Sequence, residues 1–151
     1  MAGHTFHLSV KAPYPPHSVE TAALGASASA KFTDADRNKL VKLAAADNYV
    51  LVTDGDDIEA MCVSLEPGTV NDGWSYGSVQ FKFTNLEAVV SGTTLTVGAA
   101  VVAGPQAALG TKQNWPVVKA GTGSVFKWRV KSLLGGSGAA GTRVLVEPLT
   151  R

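Results

Sequence analysis

From Ser78 onward the chain is a succession of short β-branched runs, each cut off within a few residues by glycine, proline or asparagine. The runs are Ser78–Thr84, Leu86–Val90, Thr93–Val102, Trp115–Lys119, Ser124–Lys131 and Thr142–Glu147. Several alternate apolar with polar residues, the mark of a strand buried on one face. Nothing in this half has the period of a helix. That leaves no place for a phosphate loop opening onto a helix, so function is expected in a surface rather than in a pocket.

The first half adds further strand signals. Tyr49–Thr53 reads as a strand, Asp54-Gly-Asp-Asp57 as a turn, and Met61–Leu65 as the strand that returns to close a hairpin. Residues 33–46 admit two readings. Thr33-Asp-Ala-Asp36 has the side-chain oxygens of a helix start ahead of Leu40, Val41, Leu43 and Ala44, whereas Lys39-Leu-Val-Lys-Leu43 alternates like a strand. No period of 20 to 50 residues repeats, which argues against solenoids and propellers. About eight strands with turns at roughly ten-residue spacing predict an all-β, mainly antiparallel body over residues 31–151. It would be a small barrel or a jelly-roll-like sandwich with at most one short helix.

Residues 1–30 are expected to form an extended N-terminal arm. Phe6, Leu8 and Val10 alternate with His7, Ser9 and Lys11, the prolines of Pro13-Tyr-Pro-Pro16 fix an extended path, and Thr21–Ala30 is small and nearly uncharged. Such a leader cannot build a core of its own. It suits ordering on a partner, by adding Thr5–Val10 to a neighbour's sheet.

Charge narrows the function classes. Charged residues are 17% of the 151, against about 25% in an ordinary soluble chain. A surface so poor in charge suits a protein packed against neighbours, and uncovered strand edges would favour a homodimer or trimer. The net charge of +1, with lysines and arginines spread singly, gives no footprint for nucleic acid. No apolar run approaches the roughly 20 residues of a membrane span, and no secretory leader is visible. Cys62 is the only cysteine and sits in an apolar run, so it is expected as a small core residue.

Tested for chemistry, the motifs fail. Gly136-Ser-Gly138-Ala-Ala-Gly141 matches a dinucleotide fingerprint, but the β-branched Thr142–Glu147 and Pro148 come next, where a helix is required. It reads as a mobile loop between two strands. Asp54-Gly-Asp-Asp-Ile-Glu59 lacks the sixth-position glycine and twelfth-position glutamate of a calcium loop. His4, His7 and His17 all fall in the leader, a poor place to hold zinc or a catalytic triad. No catalytic, cofactor or metal residues are therefore assigned. Trp128 alternates onto the face of Phe126 and Val130 and is assigned to the core. Trp74, after Asn71-Asp-Gly73, is the better exposed anchor. The partner-binding residues read from the sequence are Phe6, Leu8, Val10, Tyr14 and Trp74.

Taken together, Lys39–Leu43, Tyr49–Asp56, Ala60–Gly68, Leu95–Gly104 and Gly141–Glu147 form a layout of strands and glycines that resembles the small capsid decoration, or cement, proteins of tailed bacteriophages. The resemblance implies a non-enzymatic virion protein, made in the host cytoplasm, that binds the outer surface of the head. There it would bridge subunits of the major capsid protein, many copies summing weak contacts into a strong girdle. The competing expectation is a carbohydrate- or receptor-binding β-domain of a viral fibre or lectin, suggested by Trp74, Tyr76 and Trp115 near turns. A small β-fold nucleotide hydrolase has only the failed glycine motif behind it.

Overall fold

The computed structural model describes residues 19–25, 30–45, 47–65 and 75–149. These residues are all-β apart from one 3-10 turn at Asp34–Asp36. The strands are β1 (Val19–Leu24), β2 (Leu40–Leu43), β3 (Asn48–Leu51), β4 (Ala60–Leu65), β5 (Ser75–Phe81), β6 (Leu86–Val90), β7 (Ala100–Ala103), β8 (Val117–Ala120), β9 (Trp128–Ser132) and β10 (Arg143–Pro148). They close into two five-stranded barrels, in the order β1-β3-β2-β4-β5 and β6-β8-β7-β9-β10. The expected small barrel is thus present twice.

The two barrels share one wiring. In each, the first and third strands run parallel and all other neighbours are antiparallel. The registers also correspond. Leu24 faces Tyr49 as Val90 faces Val118, and Val41 faces Leu51 and Ala60 as Val101 faces Ala120 and Trp128. Ala22 faces Gly77 as Ala88 faces Val144. Even the irregularity recurs, because Val63 and Lys131 are each skipped in the ladder between the fourth and fifth strands. Outside the strands, the Asn38 N–H donates to the Cys62 carbonyl as the Gly98 N–H donates to that of Val130, both at 2.8 Å. Asn38 and Gly98 both take left-handed backbone angles, φ 68° and 85°. Two copies of one barrel therefore lie in tandem.

Equivalent inward positions are buried in both copies, but their sizes are exchanged. Ala60 in the first stands where Trp128 stands in the second, and Tyr49 where Val118 stands. Leu24, Phe32, Val41, Cys62 and Val79 complete the first core, while Val90, Val101, Val130, Val144 and Val146 belong to the second. Burial, with the Asp36 carboxylate nearby, pushes the Cys62 thiol up to about 12, so it stays protonated at neutral pH.

The barrels are fastened together. Leu40, Val52 and Ile58 of the first belong to the hydrophobic cluster of the second. The β7–β8 connection crosses back, and its Leu109 packs against the first core. Beneath it lies a fully buried ion pair between Lys39 and Asp36. The Lys39 ammonium also donates to the Ala108 carbonyl at 2.6 Å, and the Gly110 N–H donates to Asp36 Oδ1 at 2.8 Å. Gln106 accepts from the Leu40 N–H at 3.2 Å.

Two expectations are corrected, the arm assignment of residues 19–24 and the β3–β4 hairpin, and one open reading is decided. Residues 19–24, assigned to the arm, are β1, because Val19 and Leu24 bury and all six residues pair with β5. Of the two readings left open for residues 33–46, the strand holds at Leu40–Leu43, and the helix start is one 3-10 turn where Asp36 accepts from the Thr33 N–H at 2.6 Å. The β3–β4 hairpin does not form: β3 pairs with β1 and β2, while β4 pairs with β2 and β5. Among the described residues both sheets close, so every strand has a neighbour on each side.

Removing one partner of the buried pair leaves an uncompensated charge, so Lys39→Met is expected to cost about 3–5 kcal/mol. Because the clusters interlock, calorimetry should record one cooperative transition for both barrels, at a lower temperature in the variant.

Candidate functional site

Where the barrels meet, the chain leaves an apolar groove of about 680 Å³. Its first wall is the stretch Phe81–Thr84 at the end of β5, with Tyr49, Ile58 and Glu59 beside it. The opposite wall is Val125–Trp128 with Pro148. Trp128 anchors the floor. Its indole N–H donates to the Ile58 carbonyl at 3.0 Å, and its ring meets Phe83 edge-on at 5.9 Å.

The segment before β9 is held by one carboxylate. Asp57 accepts from the N–H groups of Ser124, Val125 and Phe126 at 2.7, 2.7 and 3.0 Å, and from the Ser124 hydroxyl at 3.2 Å. Burial alone would raise the Asp57 carboxyl, but the amides of Phe126, Val125 and Ser124 hold it below the usual range. Gly123 makes the turn possible, since a Cβ there would sit 2.1 Å from the Phe126 carbonyl oxygen and 2.7 Å from Asp57 Oδ1. The outcome is a fixed tip on which Val125 is 72% and Phe126 46% exposed. Leu149, also exposed, lies beside it through its N–H bond to the Lys127 carbonyl at 2.8 Å.

The polar groups at the groove bind and orient. The Tyr49 hydroxyl donates to Glu20 at 2.8 Å; burial and that carboxylate push its pKa above the usual phenol range, so it remains a neutral donor. Glu59 accepts from the Leu43 N–H at 3.1 Å, and Lys82 and Lys127 stand exposed at the rim. Together these features make an apolar anchor with an aromatic slot beside it, an arrangement suited to adhesion.

The sequence-assigned partner residues Phe6, Leu8, Val10, Tyr14 and Trp74 lie outside the described residues. Trp128 is in the core as expected, but Phe126 is not, because Ser124–Lys127 is loop and the alternation starts only at β9. The acidic turn is fully engaged: Asp54 pairs with Lys119 at 2.8 Å, Asp56 with Lys42 at 2.7 Å, and Asp57 holds the tip. Among the described residues no group of His, Cys, Asp or Glu is arranged to hold a metal ion. The glycine-rich loop connects β9 to β10 and is pinned rather than mobile, the Leu95 N–H donating to the Gly138 carbonyl at 2.9 Å. Asp57 and the exposed Val125-Phe126 pair were missed; the glycines of Gly121-Thr-Gly123 were the available sign that the run opens on a loop. Comparison with protein-family models, curated proteins and solved structures finds no match to this chain.

Asp57→Ala should cost about 1–3 kcal/mol through the lost charge-assisted bonds and free the tip, seen as faster amide exchange at Val125 and Phe126. Gly123→Ala should loosen the same amides. The pH dependence has a defined sign. Burial tends to raise Asp56 too, but Lys42 and the Thr53 amide bring it below the usual range, so Asp56 and Asp57 are both depressed when folded. Their stabilisation is complete above the unfolded value near 4 and is lost as pH falls through the folded values. The melting temperature should drop below about pH 4, and Asp57→Asn should flatten that slope.

Proposed function

We propose that this protein is a capsid decoration protein of a tailed bacteriophage, binding the outer face of the head and bridging major capsid protein subunits without catalysis. The observation that carries this reading is the rigid Val125–Phe126 tip beside an aromatic groove, on two interlocked barrels. A tip fixed before contact loses little conformational entropy on binding, and apolar anchors of this kind dominate interface energies. The strand-and-glycine layout of the sequence supports the same reading. Self-association as a dimer or trimer belongs to this proposal and rests on the exposed apolar residues.

Co-sedimentation with purified heads of a tailed bacteriophage whose genome encodes this chain tests it. Binding is expected, and Val125→Ser combined with Phe126→Ser should weaken it at least tenfold while leaving the melting temperature nearly unchanged. A protein that never pellets with heads ends the idea. The aromatic walls of the groove favour the second reading, a carbohydrate-binding domain, and glycan-array binding lost in the same variant would replace the first.

A further inference from the structure

We propose that the end of the second barrel opposite the tip is a self-pairing surface, on which two copies of the chain meet about a two-fold axis. That end is built from the β6–β7 loop, residues 91–99, and the β9–β10 loop, residues 132–142. The loops lie against one another. The Leu95 N–H donates to the Gly138 carbonyl at 2.9 Å, and a Cβ at Gly138 would sit 2.1 Å from the Leu95 carbonyl oxygen. Neither loop contains an Asp, Glu, Lys, Arg or His. Of their residues only Leu95 and Gly138 are buried, so the end approaches the roughly 20 residues per side of a standard interface. On it Val97 is 63% and Leu134 47% exposed. Charges return at the borders and are paired, Lys131 with Glu147 at 3.8 Å and Arg143 with Glu87 at 2.9 Å. An uncharged centre with a polar rim is the anatomy of a protein interface.

A second observation marks the same place. The Gly136 N–H donates to the Leu133 carbonyl at 2.8 Å, closing a turn whose central residues, Leu134 and Gly135, have φ 51° and 80°. Asn-Gly is the pair such turns favour, whereas the Cβ of a leucine crowds the following carbonyl. About half of Leu134 nevertheless faces outward, and strain of this kind persists where a side chain serves a contact. Charge selects the occupant. A surface without ions meets its own copy with neither like-charge repulsion nor stranded charge, and the two-fold repeats every apolar contact. The groove of a neighbouring copy fits it worse, because Lys82 and Lys127 at that rim would lose water without gaining a partner. Pairing by these ends also leaves the tips free, since Phe126 and Leu134 lie beyond opposite ends of β9, roughly 25 Å apart. The dimer stands on these loops and deepens the self-association included in the capsid reading. Under that reading the two outward tips each hold one capsid subunit.

Solution mass of the full-length chain tests this. Light scattering and sedimentation equilibrium should find a dimer whose dissociation constant is insensitive to salt, because the contact holds no ions. Val97→Thr with Leu134→Asn should raise that constant at least tenfold, while Val125→Ser with Phe126→Ser leaves it unchanged. Asparagine accepts the left-handed turn, so Leu134→Asn alone should raise the melting temperature measured below the dissociation constant, where the chain is monomeric. A lower melting temperature would assign Leu134 to the chain's own packing and overturn the surface. A monomer at every concentration, a trimer, or a dimer that the loop variant leaves intact would each overturn the pairing. Pelleting with heads reads the capsid proposal separately. A monomer that pellets strikes only the dimer, and a loop-dependent dimer that never pellets strikes only the capsid reading.

Discussion

The arrangement of this molecule turns on a lysine ammonium and a carboxylate shut away from water. Lys39 and Asp36 are both fully buried, an expensive position for two charges unless each is also hydrogen-bonded. Here Thr33 of the first barrel donates to one carboxylate oxygen, and the second barrel adds the Ala108 carbonyl for the ammonium and the Gly110 N–H for the other oxygen. The pair keeps the Ala108 and Gly110 bonds only while the β7–β8 connection is docked. Its value lies less in net stability than in permitting one relative placement of the barrels, and the groove exists only because that placement is fixed. The Ala103–Asp56 and Gly55–Ala103 backbone bonds, both at 2.9 Å, reinforce it from the other side.

The repetition of one barrel wiring leaves the junction to the connections, without disturbing either core. The ladders, the skipped residue and the left-handed position are common to both copies, so the shared part is what closes a barrel. What differs is the connections. The first copy carries Phe32 and Asp36 between its first two strands, and the second carries Gln106–Gln113 between its second and third. These two private segments meet one another. The divergent loops thus became the fastening, and the volume exchanges at Ala60 against Trp128 and Tyr49 against Val118 kept both interiors filled.

The adhesive surface shows the same division. The Val125–Phe126 tip belongs to the second barrel but is held by Asp57 of the first. A side chain that binds three backbone amides across the junction does for an exposed loop what a core does for a strand. The two barrels therefore cooperate in presenting apolar residues that neither could hold outward alone.

Local sequence settled the backbone class. β-branched alternation placed β6 at Leu86–Val90 and β10 within a residue, the Asp54–Asp57 turn was visible in its Asp-Gly chemistry, and Cys62 and Trp128 were read as core from the faces they share. The repeated topology was not legible, because equivalent residues share little chemistry and their spacing changes along the chain: Leu24 corresponds to Val90, but Val41 to Val101. Nor could Phe126 be separated from Trp128, since alternation reports a period and not where a strand begins. Strand choice, barrel closure and the burial of Lys39 with Asp36 were decided in three dimensions, because each depends on partners distant along the chain. Which strands bond, and which charges lose water together, are properties of closure that no local pattern contains.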